Sequence, residues 1–180
     1  MQFNKAAEAL TKMVAGPVAN AIPEKLRETF LLRAFGFLKI PMIFFISPTV
    51  VEMSDQRCVI RVPLNRRTRN HLRSMYFGTL AAGADCAGGL IAMRLIQEEG
   101  NRVSLIFKDF HAEFLKRAED DVLFTCEEGT AIRELVKKAI ESGNRENMPV
   151  HIVATVPSKL GTEAVARFTL TLSLKRKSSS

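Results

Sequence analysis

The sequence has no tryptophan, and it has only one tyrosine, three histidines and three cysteines among its 180 residues. Its twelve phenylalanines lie mostly in apolar runs, which argues against a platform that stacks single-stranded bases. Cys58, Cys86 and Cys126 have no close spacing, so neither a disulfide framework nor a zinc site is indicated. His111 and His151 are isolated. We therefore expect no metal and no cofactor.

The common nucleotide-binding and hydrolase signatures are also missing. The sequence contains no G-x-S-x-G turn, no P-loop and no G-x-G-x-x-G after a predicted strand. A Ser-His-Asp hydrolase and a nucleoside triphosphatase are therefore not supported. The most apolar stretch, residues 30–46, is interrupted by Arg33, Lys39 and Pro41, so we expect no membrane span.

The first twenty residues carry Lys5, Glu8 and Lys12, and they lack the apolar core of a signal peptide. Together with the unpaired cysteines, this predicts a cytoplasmic protein. Apolar residues make up 47% and charged residues 25% of the chain, the mixture typical of one globular domain. The net charge of +7 favours an anionic partner, which could be nucleic acid, anionic lipid or a phosphorylated ligand.

The first 46 residues are predicted to form a helical extension. Residues 3–22 have the periodicity of an amphipathic helix, and a second helix is expected to begin near Pro23. Its inward face is predicted to consist of five apolar side chains, Leu26, Phe30, Leu31, Ala34 and Phe37.

Residues 47–175 are predicted to form the main domain, and residues 176–180 a disordered basic and serine-rich tail. The order of elements is strand, strand, long helix, strand, strand, helix, strand, strand. A three-residue step between the apolar positions Phe107 and Phe110 indicates a bulge. One long helix among mostly antiparallel strands predicts an α+β architecture in which the sheet wraps the helix.

The long helix carries the most informative segment, residues 78–93, which contains four of the ten glycines. A glycine inside a helix costs about 1 kcal/mol relative to alanine, so this segment must gain close packing, either in a sheet or in a helix–helix seam. Asp85 is its only charged side chain. Burial would raise the pKa of this carboxyl toward the range useful for a general base. Alternatively, backbone donors of a neighbouring strand could pair it in a purely structural role.

Residues 70–85, NHLRSMYFGTLAAGAD, resemble the active-site segment of hotdog-fold acyl-CoA thioesterases of the phenylacetate-pathway type. In that family an Asn is followed six residues later by His-Gly-Gly, and nine residues after that His by a catalytic acid. Asn70, Tyr76 and Asp85 keep both spacings, but Tyr76 replaces the His and Phe77 the first glycine. The form Met-Tyr-x-Gly also resembles a less characterised branch of the superfamily. Residues 114–122 are similar to the strand end and turn of the same family.

The resemblance implies a hotdog fold and hydrolysis of an acyl-CoA thioester. It assigns Asp85 as general base or nucleophile, and the backbone amides of Phe77 and Gly78 as oxyanion donors. Asn70 would hold the water or the carbonyl. Tyr76 can donate a hydrogen bond but cannot replace a histidine base at neutral pH. Because the family builds its site from two subunits, a homodimer or a dimer of dimers is implied.

Arginines are concentrated just before this helix. No acidic residue lies between Asp55 and Asp85, and arginine matches the geometry of phosphate. Candidate ligands for the phosphates of coenzyme A are therefore Arg66, Arg67, Arg69 and Arg73, with Lys116 and Arg117 as further candidates. A solvated loop is the alternative for each arginine.

Three functions are consistent with this sequence. The first is an acyl-CoA thioesterase. The second is a non-catalytic acyl-CoA or lipid-binding hotdog protein, which Tyr76 in place of the His would suit. The third, nucleic-acid binding, is not expected, and it would require an affinity that falls steeply with salt.

Overall fold

A long apolar helix, α3 (Phe77–Glu98), occupies the centre of the structure. The computed structural model describes residues 23–100 and 102–177, so the predicted helix over residues 3–22 lies outside the described residues. Helix α3 packs against five of the six strands and against a second long helix. The predicted α+β hotdog architecture, with the sheet around a central helix, is confirmed.

The six strands form one antiparallel sheet with the order β1-β2-β4-β5-β6-β3. Strand β3 therefore lies at one edge, paired only with β6. The predicted bulge is confirmed as a register shift between Phe107 and Phe110. The strands are β1 (Thr49–Met53), β2 (Cys58–Val62), β3 (Val103–Phe114), β4 (Val122–Cys126), β5 (Arg145–Thr155) and β6 (Ala164–Arg176).

The glycines of α3 allow the helix to approach the sheet closely. A Cβ atom built on Gly83 would lie 2.4 Å from the ring of Phe124, which is fully buried on β4. No real side chain could occupy that space without moving the ring. The prediction that glycine provides close packing against the sheet is confirmed at this position.

Helix α4 (Gly129–Ser142) covers part of α3 and packs against β3, β5 and β6. It is amphipathic, with Ile132, Leu135, Val136 and Ala139 buried. Gly143 ends it in the left-handed region at φ 67°, where glycine is the favoured residue.

Within residues 23–48 of the described chain, two helices precede the sheet, α1 (Glu24–Lys39) and α2 (Pro41–Ile46). Helix α1 is fastened to β1 because Thr29 Oγ1 accepts a hydrogen bond from the N–H of Val50, and because the Arg33 guanidinium donates to the carbonyl of Pro48 at 2.9 Å. The second predicted helix is thus confirmed.

The predicted inward face of α1 is wrong for three of its five residues, whereas the other two are partly buried. Leu26, Phe30 and Phe37 are 60%, 47% and 65% exposed, whereas Leu32 is buried and Phe35 packs against the core. The reason is that α1 is apolar on nearly every side, so its apolar positions do not select one face.

Strand β5 begins at Arg145. Its first half pairs only with β6, because β4 meets it only from Ile152 onward. Pro149, which has no N–H, is therefore tolerated on the open side of the strand. A short helix, α5 (Pro157–Leu160), follows β5.

The predicted tail is partly wrong. Arg176 belongs to β6 and pairs with Val103, and the N–H of Lys177 donates to the carbonyl of Arg102 at 2.8 Å. Residues 178–180 lie outside the described residues.

Of the described helices, α3 alone has the length and apolar composition to cross a membrane. The fold buries 67% of the 18-residue window that meets this test. The apolar composition of α3 is therefore explained by its burial against the sheet as the core helix of the fold.

Candidate active site

Asp85 lies in the third turn of α3, on a face that is not sealed by the sheet. The residue is partly buried, and burial raises the pKa of its carboxyl above the usual value of 3.8. Its side chain has no hydrogen-bond or ion-pair partner among the described residues. A structural aspartate paired with strand donors, the alternative that the sequence left open, is thus not what the structure contains.

The carboxylate lines a cavity of about 540 Å³ between α1, α3 and the edge strand β3. This volume is that of a small-molecule site. The lining close to Asp85 is mostly apolar and comes from all three elements: Leu31, Phe35, Leu38, Leu90, Leu105 and Phe107. An ionisable group thus faces a ligand-sized apolar opening, which is the arrangement expected of a reactive site.

Gly89 makes room beside the carboxylate. A Cβ atom built on Gly89 would lie 3.7 Å from Asp85 Oδ1 and 3.7 Å from the ring of Phe107. The glycine thus leaves a gap between the acid and the edge strand. The other polar side chains of the cavity include Ser104, whose hydroxyl donates to the carbonyl of Lys175, and Arg94, which pairs with Asp55 and Glu98.

The N-terminus of α3 presents unpaired backbone donors. Within the described residues, the N–H groups of Phe77 and Gly78 have no acceptor, as expected at the start of a helix. No acidic residue lies in the first turn, so the positive end of the helix dipole is not neutralised locally. These are the two N–H groups that the resemblance assigns as oxyanion donors, and that role stays a prediction.

The preceding loop, residues 63–76, holds this helix start in place. Thr68 is fully buried, and its hydroxyl donates to the carbonyl of Pro63 at 2.7 Å. The N–H of Tyr76 donates to the carbonyl of Thr68, and the N–H of Met75 to that of Ala118. The first turn of α3 is therefore fixed to both the loop and the segment that follows β3.

Tyr76 lies against the same turn. A Cβ atom on Gly78 would lie 2.6 Å from Tyr76 Cε1, so the glycine lets the ring cover the helix start. The Tyr76 and Phe77 rings pack at a tilt of 55° with centroids 4.7 Å apart, and both residues are exposed.

Asn70 is engaged in its own loop. Its Oδ1 accepts hydrogen bonds from the N–H groups of Leu72 and Ser74, and its Nδ2 donates to Ser74 Oγ. One amide hydrogen is left for a ligand. The Asn70 side chain therefore stabilises its own loop. Its role toward substrate stays a prediction.

The single chain does not bring all predicted groups around one cavity. Asp85 lines the large cavity, but Phe77, Gly78 and the arginines of the loop do not. Gly78 and Asp85 are separated by about 10 Å along the axis at 1.5 Å per residue. The exposed loop arginines are Arg66, Arg67, Arg69 and Arg73.

A second, smaller cavity of about 210 Å³ contains Lys116 and Arg117. Lys159, on α5, lies in its wall as well, and Lys116 pairs with Glu163. The cavity is close to the start of α3, because Ala118 accepts the N–H of Met75. Sequence reasoning missed Lys159, since only the fold brings α5 to this point.

The cysteines are not candidates for the nucleophile. All three are buried and free. Burial raises the thiol pKa of Cys58 and Cys86, and that of Cys126 to about 11, so the thiolate is scarce at neutral pH. Across the described residues, no group of three or more His, Cys, Asp or Glu side chains could hold a metal ion.

One known protein family matches most of the chain. The family described as "Domain of unknown function (DUF4442)" matches residues 28–174. No curated protein matches the chain.

Solved structures are similar over most of their length. A protein of unknown function from Chlorobaculum tepidum has a TM-score of 0.73 at 11% identity, covering 85% of this chain and 97% of its own. PA5026 of Pseudomonas aeruginosa, described as a probable thioesterase, has a TM-score of 0.67 at 23% identity, covering 83% and 96%. The thioesterase HI1161 of Haemophilus influenzae has a TM-score of 0.57 at 13% identity, covering 76% and 84%. At these identities the likeness shows the fold.

Proposed function

The chain belongs to the DUF4442 family, and from its fold and cavity we propose that it hydrolyses an acyl-CoA thioester to the free acid and coenzyme A. The observation that carries the proposal is Asp85, an unpaired and partly buried carboxylate that faces an apolar cavity large enough for an acyl group. Similar solved structures described as thioesterases add support. The narrower assignment to the phenylacetate-pathway branch stays a prediction.

In the proposed reaction, the ionised carboxylate of Asp85 takes a proton from a water molecule as the water oxygen attacks the thioester carbonyl carbon. The carbonyl oxygen becomes an oxyanion, which the N–H groups of Phe77 and Gly78 stabilise. The tetrahedral intermediate then collapses by breaking the C–S bond. The leaving thiolate receives the proton from Asp85, giving coenzyme A and the free acid. Direct attack by Asp85, with an anhydride intermediate that water opens, is the alternative route.

The site is proposed to need two subunits, because the donors and Asp85 of one chain lie at different places on α3. In a homodimer, the helix start of one subunit would face the Asp85 cavity of the other. Strand β3 supports this arrangement, since it is a long edge strand whose outer side is unpaired in the described residues. Such an edge is a template for strand pairing, and exposed Ile106, Phe110 and Phe114 lie along it. A dimer of dimers is compatible with the same contact.

The phosphates of coenzyme A are proposed to bind near the helix start. Lys116 and Arg117, together with Lys159, line the small cavity beside this turn. The loop arginines are the second candidate group. We expect the enzyme to act in the cytoplasm and to need no cofactor.

The test is turnover of a panel that contains acetyl-, hexanoyl-, dodecanoyl-, palmitoyl- and phenylacetyl-CoA. Turnover is measured as release of the coenzyme A thiol. Wild type is expected to hydrolyse at least one member. A protein that turns over no member contradicts the proposal. In that case, calorimetry with a non-hydrolysable acyl-CoA thioether tests the alternative, a binding protein, which Tyr76 at the position of the family's histidine favours.

A further inference from the structure

The first two helices expose a continuous apolar face. On α1, Leu26, Phe30 and Phe37 are spaced four and seven residues apart, which places them on one side of the helix. Their side chains are 60%, 47% and 65% exposed. On α2, Met42, Phe44 and Phe45 are 58%, 45% and 48% exposed. We call these six side chains the α1–α2 face.

The two halves of this face are joined. The rings of Phe37 and Phe44 pack edge to face with centroids 5.3 Å apart, and Ile40 between the helices is 40% exposed. Scattered apolar side chains are normal on protein surfaces, but a contiguous patch of this kind marks an interaction site.

A basic loop borders the face. The Arg67 guanidinium lies over the Phe45 ring, 5.7 Å from its centroid, and Arg66 and Arg69 are exposed beside it in sequence. In the described structure, none of these three arginines has an ion-pair partner. Residues 29–84 contain eight Lys and Arg but only two acidic residues, so this segment carries most of the +7 net charge.

We propose that the α1–α2 face and the loop arginines dock the protein onto the surface of an anionic lipid bilayer. Phenylalanine and methionine side chains insert at the boundary between headgroups and acyl chains, and arginines next to them bind the lipid phosphates. The exposed apolar side chains thus match the acyl chains of the lipid, and the adjacent positive charge matches its anionic headgroups.

Other occupants complement the face less well. A second copy of the chain would bring one arginine loop toward another in a symmetric contact, and like charges oppose such an interface. Residues 1–22 carry two lysines and one glutamate, so they offer no net negative charge to the arginines. Nucleic acid would pair with the arginines but would leave the phenylalanines unpaired.

Docking would also place the large cavity beside the bilayer, because Leu38 and Ile40 of the same helical pair line it. The docking proposal does not depend on hydrolysis, so it can fail or succeed independently of the proposed enzyme activity.

The absence of tryptophan gives a direct test in the full chain. Phe44→Trp places a single reporter on the face, and Leu115→Trp places one at a side chain of similar exposure, 50% against 45%, at the end of β3. Vesicles of phosphatidylcholine with 30% phosphatidylglycerol are added, with pure phosphatidylcholine vesicles as the comparison. We expect the Phe44→Trp emission to shift to the blue and to become protected from iodide with the anionic vesicles, and the Leu115→Trp emission not to change.

Co-sedimentation with the same vesicles separates charge from apolar contact. Arg67→Glu is expected to lower the partition coefficient at least about fivefold, given about 1 kcal/mol for each charge near an anionic surface. Met42→Ser is expected to lower it as well, whereas Lys137→Glu, an exposed charge reversal on α4, lowers it less than Arg67→Glu does. Thermal unfolding by circular dichroism checks that each variant is folded.

Two results would overturn the proposal. One is a Phe44→Trp emission that is unchanged by anionic vesicles while the protein does not sediment with them. The other is emission that is already blue and protected before vesicles are added, because another part of the chain or a second copy would then cover the face.

Discussion

Asp85→Asn is expected to make the protein more stable at neutral pH. The substitution keeps the shape of the side chain and removes its charge. In the native state the carboxylate is partly buried without a partner among the described residues, and burial raises its pKa. The ionised form is therefore less favourable in the folded chain than in the unfolded chain, where it is solvated.

The sign of the pH dependence follows from this shift. At pH 8 the wild-type carboxyl is ionised in both states, so the desolvation penalty is fully present. As the pH falls through the raised native pKa, the native state binds the proton first, and the penalty disappears by the usual value of 3.8. The stability advantage of Asp85→Asn should thus be greatest at high pH and should decrease toward pH 4.

The asparagine amide would itself be polar and unpaired, so the advantage at pH 8 reflects the desolvation of the charge alone, on the order of 1 kcal/mol for a partly buried group. Because one pKa unit corresponds to about 1.36 kcal/mol, the difference between the advantages at pH 8 and pH 4 measures the native pKa of Asp85. The assay is urea unfolding followed by far-ultraviolet circular dichroism between pH 4 and pH 8, at equal protein concentration. A variant that is less stable than wild type at pH 8 would refute the reasoning, since the carboxylate would then be paired in the native state. A stability advantage of Asp85→Asn that does not change between pH 4 and pH 8 would also refute the reasoning, since the pKa of Asp85 would then not be raised in the native state.

Four further substitutions probe α3 and the loop before it. Gly89→Ala and Gly88→Ala should each stabilise the helix by up to about 1 kcal/mol. Only Gly89→Ala should alter kcat/KM for acyl-CoA, because its new methyl group would lie beside Asp85, whereas the methyl group of Gly88→Ala would meet Ile152 at 3.4 Å. Equal effects of the two substitutions on turnover would contradict the cavity as the acyl site. Gly83→Ala should destabilise the fold by about 1–3 kcal/mol through overpacking against the Phe124 ring, and a neutral result in urea unfolding would contradict that close contact. Thr68→Val should cost about 1–3 kcal/mol by removing a fully buried hydroxyl donor, and unchanged stability would show that the loop does not depend on it.

Much of the fold can be predicted because its signals are local. The buried stripe of α4 has a helical period, and β6 alternates with a period of two along Phe168, Leu170, Leu172 and Leu174, all of which are buried. The step from Phe107 to Phe110 marks the bulge in β3 directly. Each of these patterns repeats within a few residues, so no knowledge of distant contacts is needed.

The orientation of α1 could not be predicted in the same way. Its apolar residues lie on the buried face, the cavity face and the exposed face, so periodicity does not distinguish Leu32 from Phe37. The contacts that decide the orientation involve Thr29 and Arg33, which bond to residues 47–50, and polar side chains of this kind give no apolar signal.

The candidate site could be predicted only in part, because some of its features are local in sequence and others depend on contacts between distant residues. Asp85 is conspicuous because it is the only charged residue in the apolar, glycine-rich segment 78–93. The cavity depends on Phe35 from α1 and Leu105 from β3, which are 70 residues apart in sequence. Asn70 kept the spacing of a family motif, but the structure shows that its amide first satisfies the loop around Ser74.

The most direct test of the account is the rate of coenzyme A release by wild type and by Asp85→Asn from the best acyl-CoA of the panel at pH 8. A general base contributes about 10²–10⁴-fold, so we predict turnover by wild type and a loss of at least about a hundredfold in kcat for Asp85→Asn, with the thioether analogue still bound. Equal rates for the two proteins would contradict the assignment of Asp85 as the group that performs the chemistry.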